Sequence, residues 1–185
     1  MGENSGPLAG SSLPWKEIGA FVAELRDEDG MAARALEFTL LQGSPAFSVS
    51  VLTDGRLVSG GENGLIKLWP KDGEGEPVIL RQSGEALSLM GLADGRLVSG
   101  GSDGQIYLWP REGVGDPMIL HQGSPVRSLA EFGDGRLASG GEDGRIKLWP
   151  ARGHGEPIIL RQESAVLSMA VLPDGRLISG GLTVE

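Results

Sequence analysis

The tetrapeptide Asp-Gly-Arg-Leu stands at residues 54–57, 94–97, 134–137 and 174–177, a strict forty-residue period. Each copy is followed by Ser-Gly-Gly, starting at Ser59, Ser99, Ser139 and Ser179. The first three copies then run on to Leu-Trp-Pro, with Trp69, Trp109 and Trp149. A fixed period of this length marks an array of one supersecondary unit, in which each unit buries its apolar side on its neighbour. An array of near-identical units suits a binding scaffold better than a catalyst, because catalysis does not need one site repeated.

The third copy shows how one unit folds. Residues 126–132 carry strand-compatible apolar side chains and end at Gly133-Asp134-Gly135, and Asp-Gly between two such runs is a hairpin signal. A second strand follows over 136–140, and Glu142-Asp143-Gly144 makes the next turn. Residues 145–149 alternate polar and apolar, the pattern of a half-buried strand. Pro150 lacks a backbone donor, so it ends that strand or places it near an edge. Gly153-His154-Gly155-Glu156-Pro157 is a loop, and residues 158–161 form a fourth strand. The unit is an antiparallel meander of strands a, b, c and d.

This text resembles the WD40 family, whose four-stranded blades carry a Trp near the end of strand c. The matching run is Ser99-Gly100-Gly101-Ser102-Asp103-Gly104-Gln105-Ile106-Tyr107-Leu108-Trp109. Two features depart from the family pattern. The Asp that follows the Trp is Pro70, Pro110 or Pro150, and Gly-His before strand a is Arg81-Gln82, His121-Gln122 or Arg161-Gln162. The resemblance implies an all-β propeller. It would have three complete repeats over about 46–81, 86–121 and 126–161, and a partial fourth over 166–185. It also implies a hydrogen-bond chain through Gln82, Ser99, Asp103 and Trp109, and through Gln122, Ser139, Asp143 and Trp149. The first copy has Asn63 where that Asp would be.

Propellers are built of about four to eight blades. Three complete units, a further strand a over 166–172 and a strand b over 177–180 do not make a comfortable ring. Residues 36–41 are a possible closing strand d. Either the chain is part of a longer propeller or copies of it assemble, and self-association into a homodimer is the preferred reading. Before the repeats, residues 1–10 are rich in Gly and Ser. Ser12 and Pro14 suit a helix start, and Trp15, Ile18, Val22 and Leu25 fall at helical spacing. The expected division is therefore an N-terminal segment, 1–35, with a short helix, and repeats over 36–185. The helix either packs its apolar stripe on the propeller or is a remnant of an upstream effector or a dimerisation helix.

Charge and composition narrow the function. A net charge of −9 and a pI near 4.8 argue against nucleic acid, which needs a basic footprint, and against anionic membranes. With no cysteine there is neither a disulfide framework nor a thiolate site, which fits a reducing, cytoplasmic location. No apolar run approaches a membrane span, and the N-terminus lacks the pattern of a secretory signal. Glycine supplies 31 of 185 residues, more than twice the usual share of about 7%, and most recur at fixed turn positions.

No catalytic or cofactor site is expected. Of the two histidines, His154 lies in a glycine-rich loop and His121 replaces an Arg of the sister copies. No ligand cluster has the spacing of a zinc site. Gly113-Val114-Gly115 and its counterparts are followed by acid and Pro, which does not suit a phosphate loop. What remains is a surface. The d–a and b–c turns of such a propeller share one rim, and the copies differ there. The candidate partner-binding residues are Glu62, Ser83, Glu85, Ser102, Ser124, Arg127, Glu142 and Glu163. The expected function is a non-catalytic scaffold for protein or peptide. The alternative is a multivalent small-molecule or glycan-binding propeller, for which the turns lack aromatic side chains.

Overall fold

In this computed structural model the described residues are 41–71 and 75–182. The expected N-terminal helix, and all but Leu41 of the strand expected at 36–41, lie outside them.

Three four-stranded antiparallel sheets and one two-stranded sheet follow one another along the chain. The first holds β1 (Ala46–Val51), β2 (Leu57–Gly61), β3 (Leu65–Trp69) and β4 (Val78–Arg81). The second holds β5 (Ala86–Gly91), β6 (Leu97–Gly101), β7 (Gln105–Trp109) and β8 (Met118–His121). The third holds β9 (Val126–Glu131), β10 (Leu137–Gly141), β11 (Arg145–Trp149) and β12 (Ile158–Arg161). The fourth pairs β13 (Ser168–Val171) with β14 (Leu177–Gly180). Spatial order equals chain order in every sheet, so each is a meander.

Local chemistry fixes this register. In each a–b turn the Asp carboxylate accepts from the backbone N–H of the Arg two residues on, as Asp94 does from Arg96 at 3.1 Å. Gly95 takes φ +86°, a left-handed conformation that a side chain disfavours. The Leu after each turn then lies opposite the Trp of strand c: Leu57 with Trp69, Leu97 with Trp109, Leu137 with Trp149. Strand c lies between b and d, so Pro150 ends β11 and does not mark an edge. The short segment Ala151–Gly153 beyond it is a 3-10 turn. The fourth strand a starts later than its expected Val166, because the Val166 N–H donates to Gly141 O of the preceding sheet.

Successive sheets pack face on face. Val58, Ile66, Leu68 and Leu80 of the first sheet meet Leu97, Tyr107 and Trp109 of the second. Val98, Ile106, Leu108 and Leu120 of the second meet Val126, Leu137 and Trp149 of the third. Ala130, Phe132 and Ala138 meet Met169, Val171 and Leu177 of the last pair. Glycine in strand b permits this closeness. A Cβ on Gly60 would stand 2.8 Å from Ala86 Cβ, and one on Gly140 would clash with Val166. Burial of these interfaces is the main stabilising term for an array of this kind. The fold is all-β, of the propeller type.

Candidate interaction rim

Each complete blade has a buried polar lock. Ser99 Oγ donates to Gln82 Oε1 at 2.6 Å and accepts from Trp109 Nε1 at 2.8 Å. Ser139 does the same with Gln122 (2.7 Å) and Trp149 (2.7 Å), and Ser59 with Gln42 (2.6 Å) and Trp69 (2.8 Å). One hydroxyl can donate once and accept twice, so it satisfies both partners. Gln stands where the family has His, and its amide still supplies the acceptor. Its NH₂ finds a backbone carbonyl: Glu85 O for Gln82, Arg145 O for Gln122.

Asp103 and Asp143 do not join these locks. Both face solvent and close their own turn, accepting from the N–H of Gln105 at 3.0 Å and of Arg145 at 3.1 Å. This is the ordinary habit of an Asp in a turn, and Asn63 shares it with Leu65 N at 3.1 Å. Gln42 was not singled out from the sequence, although the forty-residue spacing to Gln82, Gln122 and Gln162 marks it.

The d–a and b–c turns are knitted into one rim. Gly64 O accepts from Gln82 N at 3.1 Å, Glu85 O from Ser102 N at 3.0 Å, and Pro125 O from Glu142 N at 3.1 Å. The candidate residues divide on this frame. Glu62, Ser83, Arg127, Glu142 and Glu163 are exposed. Glu85, Ser102 and Ser124 are half-buried. Ser102 Oγ is committed to Glu85 N at 2.9 Å, and the Ser124 hydroxyl is buried away from solvent. Arg127 and Glu142 form an exposed ion pair in the third blade. The eight residues therefore make up several small groups, not one site.

Tyr107 was not assigned to the rim from sequence, yet it braces it. Its hydroxyl donates to Asp103 Oδ2 at 2.7 Å and accepts from Ser83 N at 3.3 Å. Burial and the Asp103 carboxylate push its pKa up. Lys67 and Lys147 hold the same repeat position and donate to Leu41 O and His121 O. On the opposite rim each Asp-Gly-Arg-Leu Arg pairs with its own Asp. Arg56, by its side-chain hydrogen bond, holds the Asp54 carboxyl below its usual range. The backbone N–H of Arg136 does the same for Asp134. Among the described residues no group of three or more His, Cys, Asp or Glu side chains is placed to hold a metal ion.

The WD domain, G-beta repeat (WD40) family matches residues 38–70 and 118–150. The chain carries WD40 repeats at these two stretches. Among solved structures, this WD40-repeat chain is similar to the computationally designed Ika4 protein, with 25% identity and a TM-score of 0.57 over 76% of this chain and 92% of that one. It is also similar to a chain of the Mitotic Checkpoint Complex, with 21% identity and a TM-score of 0.71 over 78% of this chain. It spans about half of that second chain, 48%. No curated protein sequence matches it. WD40 repeats serve in general as protein-interaction scaffolds. No helix among the described residues is long and apolar enough to cross a membrane.

Proposed function

We propose that this protein is a non-catalytic scaffold that binds protein or peptide through the rim of its d–a and b–c turns. The observation that carries the reading is the Arg127–Glu142 pair. It is exposed and is set on a hydrogen-bonded frame that all three complete blades share. The sister copies carry Leu87 and Leu167 at the Arg127 position. A fixed frame that varies at its exposed turns gains specificity without loss of stability. A charged and hydrogen-bonding rim suits peptide better than sugar, because glycan pockets want exposed aromatic rings and Tyr107 is buried. The partners are protein or peptide, including a second copy of the chain, and not nucleic acid or membrane. A cytoplasmic location fits the absence of cysteine.

The test is an array of immobilised peptides and glycans probed with the full chain and with Arg127→Leu, which restores the residue of the sister copies. Selective peptide capture that falls at least tenfold in the variant supports the reading. Capture of glycans alone would favour the lectin-like alternative, and peptide capture indifferent to Arg127 would move the site elsewhere.

A further inference from the structure

Each blade has two unlike faces: one turns towards the next blade along the chain, the other towards the previous one. Three contacts between such faces lie within the described residues. Among the described residues one face of each kind is left uncovered.

On the forward side, Ile178 is 52% exposed, where its repeat counterparts Val58 and Val98 are 1% and 0% exposed. A Cβ on Gly180 would meet nothing, whereas on Gly60 or Gly140 it would strike the next blade. On the backward side, Val49 is 62% exposed, whereas its counterparts Leu89 and Leu129 pack against the preceding blade.

We propose that these two faces are complementary halves of an interface between copies of this chain. The face around Ile178 of one copy receives the face around Val49 of another. Over strands a and b the contact repeats one that the chain already makes with itself, so shape and chemistry match there. The polar part matches too. Ser48 Oγ and Ser128 Oγ accept from the backbone N–H groups of Leu89 and Met169 in the following blade, at 3.0 and 2.9 Å. Ser168 holds the same repeat position and is exposed, and Val49 of a second copy would present the corresponding N–H. Two unlike faces make a head-to-tail contact, which closes into a ring when the rotation per step allows. Each copy supplies four blade positions. Two copies supply eight, the upper end of the usual range of about four to eight. This deepens the self-association reading above, and it needs no exchange of strands.

Light scattering on the full chain at micromolar concentration is expected to give about twice the 19.3 kDa chain mass. Val49→Glu and Ile178→Glu each place a charge on one open face, at a side chain exposed in the single chain. Each variant alone is expected to run as a folded species of half the wild-type mass, with unchanged far-UV circular dichroism. An equimolar mixture of the two keeps one intact face pair, Ile178 of the first variant against Val49 of the second, and is expected to recover the doubled mass. A wild-type monomer would overturn both this interface and the self-association reading. A dimer indifferent to both substitutions would overturn the interface alone. A ladder of higher masses would overturn the closed ring of two. None of these outcomes bears on the peptide array.

Discussion

Ser99 shows how much one hydroxyl can hold. It joins the Gln82 amide to the Trp109 indole in a buried position. Ser99→Ala removes both bonds and leaves two polar groups unpaired, at about 1–3 kcal/mol each. Trp109→Ala removes the ring that stacks on Tyr107 and packs against the first blade, and should cost about 3–5 kcal/mol. Urea denaturation measures both, and a loss well under about 1 kcal/mol for the Trp variant would contradict this packing. Tyr107 is the only tyrosine in the chain, so its titration can be read by absorbance. Its pKa is raised, so the stability that comes from the neutral phenol is present below the ordinary tyrosine value of about 10. It is lost as pH climbs through the raised midpoint. The midpoint is expected above that value, with Asp103→Asn moving it down. A midpoint at the ordinary value would show that the Asp103 bond does not form.

At the scale of the element, glycine decides how closely blades approach. Gly100→Ala would drive a methyl group into Val126 of the next blade. Such overpacking costs about 1–3 kcal/mol. Gly133→Ala, in an a–b turn with open space around it, is expected to stay within about 0.5 kcal/mol of the parent. Equal losses for the two would refute the account of strand b. Strands were legible in the sequence because Asp-Gly turns and period-two alternation are local signals, as in the run from Arg145 to Trp149. The start of β13 was not, because a contact with Gly141 from another sheet sets it. The Ser and Trp of each lock could be read from the family pattern. The place of Asp103 outside the lock could not, since a turn Asp chooses between its own backbone and a distant partner by geometry alone. The Arg127–Glu142 pair lies fifteen residues apart in sequence, and only the pairing of turns on one rim brings the two together.

Taken whole, the molecule is quasi-one-dimensional, with each blade bound mainly to its neighbours. Removal of residues 1–35 is therefore expected to leave the far-UV circular dichroism of β-structure intact. An unfolded product would mean that the N-terminal segment belongs to the core and that the boundary near residue 36 is misplaced. The locks add a constraint on where the backbone tolerates a break. Gln82 is tied by its main chain to the first blade, at Gly64 O, and by its side chain to the second, at Ser99. Each lock thus opens between two blades and closes at the Trp of the later one. The c–d loop and strand d after each Trp are the stretch of the repeat that no lock spans. A circularly permuted chain with its new ends near Val114 would keep every lock on a single unbroken segment. Ends placed in the a–b turn near Asp94 would sever Gln82 from the Ser99 and Trp109 it secures.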